Sequence, residues 1–92
     1  MNEDKREHSL DQIVGVEALL ETDGKITVRS LLLKGRLILV TATGRQWVEE
    51  SDGGLRRCVL AMGVDNSTFE LCLDGKDGLW HLRKMWSPQY LA

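Results

Sequence analysis

Thiols and imidazoles are the side chains best suited to nucleophilic, redox or metal chemistry, and this chain has four of them: Cys58, Cys72, His8 and His81. Two cysteines without a CxxC pair or a matching pair of histidines make no zinc site, which needs four N or S donors at metal-ligand spacing. A disulfide needs both cysteines on one face of the sheet. If Leu60 and Met62 face inward beside Phe69 and Leu71, then Cys58 points in and Cys72 out. Free thiols are therefore expected, with Cys58 filling the core as unpaired cysteine commonly does.

The histidines offer no more. His8 lies near the N-terminus and His81 on the outer face of the last expected strand, and neither has a serine or acid at motif spacing. No nucleophile elbow is present, so the reading is not an enzyme. The glycines fall in turns and not in the order of a phosphate-binding loop. Asp74-Gly75-Lys76-Asp77-Gly78 has too few oxygen ligands for a calcium loop and reads as a hairpin turn. No metal or cofactor is expected.

Cations beside aromatics are a different signal. Trp80 to Trp86, WHLRKMW, carries His81, Arg83 and Lys84 between tryptophans, and Arg56 and Arg57 fall on a neighbouring strand. Single-stranded nucleic acid is held this way, with bases on aromatic rings and phosphates on cations. Against it, the net charge is −2 and Glu70 stands ready to pair with Arg83. Nucleic-acid binding through Arg56, Arg57, His81, Arg83 and Lys84 is the alternative reading and not the favoured one.

The elements that must position these residues are short. Ninety-two residues, 42% apolar and 28% charged, make one domain near the lower size limit for an independent core. No run reaches the ~20 apolar residues that span a bilayer, and the N-terminus lacks a signal-peptide core. The expected location is cytoplasmic. Residues 1–8, mixed in charge and without periodicity, read as a loose tail ahead of a single domain over 9–92.

Turn signals recur at Asp23-Gly24, Lys34-Gly35, Asp52-Gly53-Gly54, Asp65-Asn66-Ser67 and Asp74 to Gly78. Between them lie runs of strand length, giving five or six antiparallel strands in an all-β meander, curled or barrel-like. A turn or helical piece at 9–12 is expected before a strand from about 13 to 22. One helix over 9–21, in an α+β domain, is the alternative. Leu73 is expected opposite Trp80, Leu71 opposite Leu82 and Glu70 opposite Arg83. Gly15 and Gly63, inside strands, mark bends.

Lys25 to Val40 is the longest apolar run. Its alternation slips at Ser30, where either a bulge resets the register or both faces are covered. Beyond the turn, Leu37 and Leu39 oppose Ile38 and Val40, so this strand is apolar on both faces. Either a segment of the same chain or a second copy must cover the second face. The reading is a non-enzymatic binding or assembly module, a homo-oligomer or a partner of another protein, joined through Leu31, Leu33, Leu37 and Leu39. A third reading is an apolar-ligand barrel lined by Leu60, Met62, Phe69, Leu71, Trp80 and Leu82. Val14 to Val28 looks a little like the first hairpin of an oligonucleotide-binding barrel. Asp65-Asn66-Ser67 is a fragment of the pattern of cyclic-dinucleotide-binding PilZ domains, without the glycine expected after the serine. Neither covers enough of the chain to name a family.

Overall fold

Period-two burial decides the ambiguous first segment in favour of strand. In the computed structural model, which describes residues 7–51 and 53–87 with side chains from Asp11 onward (Ser51 excepted), Val14 is buried and Val16 and Ala18 pack against the same core. The β-branched residues outweigh the helix formers because alternate side chains there have a hydrophobic interior to enter. The helical alternative does not form. Strand β1 (Glu7–Leu20) takes in residues 9–12, expected as a turn or helical piece, and ends two residues short of the expected 22. Residues 1–6 lie outside those described, and Glu7 and His8 pair with Trp86 and Met85.

The remaining strands are β2 (Ile26–Leu33), β3 (Arg36–Ser51), β4 (Gly54–Gly63), β5 (Thr68–Asp74) and β6 (Trp80–Trp86). Each pairs antiparallel with the next, and β6 returns to β1, closing a six-stranded barrel. Closure leaves the sheet without a free edge. The expected turns at 23–24, 34–35, 65–67 and 74–78 are present, and of the one at 52–54 Asp52 lies outside the described residues. Lys34 and Gly35 both have positive φ, as a two-residue hairpin turn requires. Asp23 accepts a bond from the Lys25 amide, and Asp65 from that of Ser67.

The core is lined by Val14, Ile26, Val28, Leu31, Val59, Ala61, Phe69, Leu71 and Leu82. On β4 this reverses the expected parity: Val59 and Ala61 enter the core, while Cys58, Leu60 and Met62 lie on the outer face. Val59 pairs with Leu71 and Ala61 with Phe69, so the inward face of β5 fixes that of β4. Gly63 is also buried; a Cβ there would stand 3.1 Å from Ile38 Cγ2 and 3.3 Å from Phe69 Cε2. A side chain there would have to push those neighbours aside by a few tenths of an ångström.

Bulges bend the strands and reassign faces. Arg29 is the extra residue of β2 against β1, so Ile26 and Val28 point inward before it and Leu31 after it. This is the slip at Ser30. On β3, Thr41 is extra against β4 and then Gly44 and Arg45 together oppose Leu60, turning the long strand around the barrel. Arg83 is extra in the β5–β6 ladder. Leu73–Trp80 and Leu71–Leu82 pair as expected, but Glu70 then meets Lys84, and Trp86 falls on the outer face opposite Thr68 while Met85 packs against the core.

The β2–β3 ladder spans only Ser30–Leu33 against Arg36–Leu39. Further along, side chains close the gap. Gln46 Nε2 donates to the Ile26 carbonyl at 2.6 Å, and Gln46 Oε1 accepts from the Ile26 amide at 2.9 Å. Thr43 Oγ1 accepts from the Val28 amide at 3.0 Å. One side-chain amide thus replaces a peptide unit of the missing ladder. Among the described residues no helix is long and apolar enough to cross a membrane.

Candidate functional site

The outer surface of the barrel carries two distinct faces, one polar and organised, the other apolar and bare. The polar face spans β3 to β6. Register places Trp47, Cys58, Cys72 and His81 side by side on four adjacent strands. The bulge gives Arg83 the reach to lie across this row. Its Nη1 and Nη2 donate to both oxygens of Glu49 at 2.8 and 2.9 Å, and Nη2 and Nε donate to Glu70 at 2.8 and 3.2 Å. Trp47 Nε1 adds a third donor on Glu49 at 2.8 Å, and Arg45 stacks 5.3 Å from the Trp47 ring centroid. Bidentate pairing of this kind is the strongest form of the interaction. The Arg83 and Trp47 hydrogen bonds, in that order, hold the Glu49 carboxyl down at about 2, and the same contact with Glu49 raises the Arg83 guanidinium.

Arg83, Arg56, Asp11 and His81 ring a small recess at Cys72, and both outward-facing cysteines are hidden. Cys58 is 1% exposed and Cys72 fully buried. Both thiols are free, as expected, but for a different reason than opposite faces. They are direct cross-strand neighbours on one face. Burial is the main cause that raises both thiols, and the closeness of the two lowers Cys58 in part and raises Cys72 further.

The cationic candidates are dispersed or matched by carboxylates. Arg56 pairs with Asp74 at 3.3 Å. His81 stands between Asp11 and Asp77, at 3.4 and 3.1 Å. Arg83 is held by Glu49 and Glu70. Arg57 has the opposite parity to Arg56 and donates to the Gly24 carbonyl at the barrel mouth. Lys84 pairs with Glu70 in the ladder. The structure thus brings Arg56, His81 and Arg83 to one face, each beside a carboxylate, and sends Arg57 elsewhere. The atoms of Asp74, Asp77 and His81 that could ligate a metal lie within 4.8 Å of one another. The Asp74 carboxylate is spent on the Arg56 side chain and the Lys76 amide, consistent with a hairpin turn.

Of the residues expected to line an apolar-ligand cavity, Phe69, Leu71 and Leu82 are packed in the core and Trp80 lies against it. Leu60 and Met62 are outside the barrel by the parity of β4. The barrel mouth holds an open apolar cleft of about 230 Å³ between Leu20, Ile26, Leu73 and Trp80, with Arg57 at its rim.

The apolar face lies on β2, β3 and the end of β4. Leu31 and Leu33, expected in an interface, belong to the interior: Leu31 is 1% exposed and Leu33 packs against the core. The bulge at Arg29 put them there and turned Leu32 outward in their place. Leu37 and Leu39 face out as expected, 65% and 54% exposed, with Leu32 at 48%. Leu32 is the direct cross-strand partner of Leu37, and the Val64 amide donates to the Leu39 carbonyl. Exposed Val64 and Met62 therefore continue the stripe onto β4.

The chain has no match. No family model, no curated protein and no solved structure aligns with it. What the two faces can do rests on their own chemistry. Sequence reasoning missed Leu32, Met62 and Val64 on the apolar face and the Cys58–Cys72 pairing on the polar one. A single rule was available for the second: in a hairpin whose loop is 64–66, closed by Gly63 and Ser67, residues 58 and 72 sit equally far from the turn and share a face.

Proposed function

We propose that this chain is a non-enzymatic assembly module that pairs with a second copy of itself through the stripe Leu32, Leu37, Leu39, Met62 and Val64. The observation that carries this reading is the bare outer face of β2–β3. Its strands are apolar on both sides, and the segment that was the internal candidate to cover the second side is instead β1 of the barrel wall. Contiguous apolar surface rimmed by charge is the mark of an interaction site.

The rim supports a twofold partner in particular. Lys34 and Arg36 stand at the turn end of the stripe, and Glu17 and Asp65 flank its other end beside Leu39 and Val64. Rotation by a twofold axis through the stripe sets each end against the opposite charge of the other copy, as self-complementary interfaces require. On the polar face the cations already have carboxylate partners, which weighs against nucleic acid as the main ligand.

Sedimentation velocity over a wide concentration range tests the reading. A dimer is expected for the native chain and a monomer for the double variant Leu37→Glu, Leu39→Glu. A native chain that stays monomeric at the highest concentration would overturn it.

A further inference from the structure

The β4–β5 ladder fixes how the two thiols meet. The Gly63 amide donates to the Ser67 carbonyl and the Gly75 amide to the Leu55 carbonyl. Hydrogen-bonded positions alternate along an antiparallel ladder, so 63/67 and 55/75 place 61/69, 59/71 and 57/73 in the same class. Cys58 and Cys72 then form a non-hydrogen-bonded pair. Such pairs have Cα atoms about 4.5 Å apart with side chains closest, inside the range a disulfide can bridge but at its short end. Bonds at the edge of that range are strained and readily reduced.

We propose that Cys58 and Cys72 are a reversible dithiol–disulfide site, oxidised by low-molecular-weight disulfides such as glutathione disulfide and gated by the Arg83 clasp. In the closed state neither sulfur is accessible, so the reaction begins when Arg83 releases Glu49 and Glu70. The Cys58 thiolate attacks one sulfur of glutathione disulfide, breaking its S–S bond, forming a mixed disulfide and releasing one glutathione thiolate. The Cys72 thiolate then displaces the second glutathione and closes the Cys58–Cys72 bond. The two protons lost by the protein thiols are taken up by the two glutathione thiolates. The protein gives up two electrons and glutathione disulfide is reduced; excess reduced glutathione reverses the sequence.

Burial raises both thiols and Cys72 further, so Cys58 ionises the more readily of the two once the clasp opens and water reaches it. Cys72 sits directly opposite to resolve the adduct, and no strand has to slide. The site is on the polar face, while the proposed self-association uses the apolar one, so each stands without the other.

The test is incubation of the folded chain in glutathione buffers of increasing oxidised-to-reduced ratio, with acid quench, intact mass and peptide mapping. The expected product is a monomer lighter by two hydrogens, with peptides containing Cys58 and Cys72 joined, and full return to thiols on reversal of the ratio. Arg83→Gln is expected to speed formation roughly tenfold, because opening no longer requires breaking the clasp. Cys58→Ala and Cys72→Ala should yield no internal bond. Glutathione adducts alone, bonds only between chains, or a bond that forms only in denaturant would overturn the proposal. An unchanged rate in Arg83→Gln would overturn the gate. If the alanine variants do not fold, the peptide map of the native chain still decides whether the bond forms.

Discussion

Glu49 is about one-third exposed, yet its carboxyl is held at about 2 against an ordinary 4.5 by the hydrogen bonds of Arg83 and Trp47. A folded-state value below the unfolded one means stability that is fully present above about 4.5 and is lost as pH falls toward 2. Partial exposure screens the interaction, so the contribution is about 1–2 kcal/mol, less than the full shift implies. Asp74, lowered by the Lys76 amide and then by Arg56, adds a change of the same sign. Urea midpoints measured between pH 6 and pH 2 should therefore fall more steeply for the native chain than for Glu49→Gln, which keeps only the Asp74 part and other carboxylates. Equal slopes would mean that the clasp contributes nothing to folding. The attraction between Glu70 and Arg83 was legible in the sequence. Glu49 as the second holder was not, since it lies three strands away from Arg83 and no local spacing encodes that distance.

At the scale of strands, the long elements and their turns could be read because apolar alternation and Gly, Asn and Asp signals are local. Face assignment failed where both faces of a strand offer apolar side chains. On β4 the larger Leu60 and Met62 suggested the core, but the interior opposite Phe69 and Leu71 accepts the smaller Val59 and Ala61. Bulges were a second source of error. The slip at Ser30 marked the bulge at Arg29 as one of two possibilities, but no local signal marked the one at Arg83, and each reverses the side chains beyond it, placing Leu31 inside and Trp86 outside. The splayed end of β2 and β3 was equally hidden, because it depends on Gln46 reaching across a gap. Gln46→Leu removes both of its bonds to Ile26 and is expected to destabilise the chain by about 1–3 kcal/mol, part of the loss being recovered by water entering the groove. Native-state hydrogen exchange gives the sharper reading: the Ile26 amide should lose protection selectively, with Val14 and Leu71 amides nearly unchanged. Uniform loss across the barrel would show that the effect is global and not at the seam.

For the molecule as a whole, closing the barrel separates what a sheet edge would otherwise do from what its faces do. No described strand is terminal, and where β2 and β3 splay, Gln46 and Thr43 occupy backbone groups of β2, so association falls to exposed side chains such as those of the apolar stripe. Association that uses only exposed side chains has a thermodynamic consequence apart from mass. A dimer is favoured over the unfolded monomers by mass action, so the thermal midpoint of the native chain should rise with protein concentration. Leu37→Glu with Leu39→Glu should abolish that dependence. It should leave the low-concentration midpoint within a few degrees, because neither side chain enters the core and surface changes alter stability by about 0.5 kcal/mol or less. If the double variant instead melts far lower at every concentration, Leu37 and Leu39 are supporting the barrel itself. If the native chain shows a midpoint independent of concentration across the range where sedimentation is performed, the stripe is not holding two copies together.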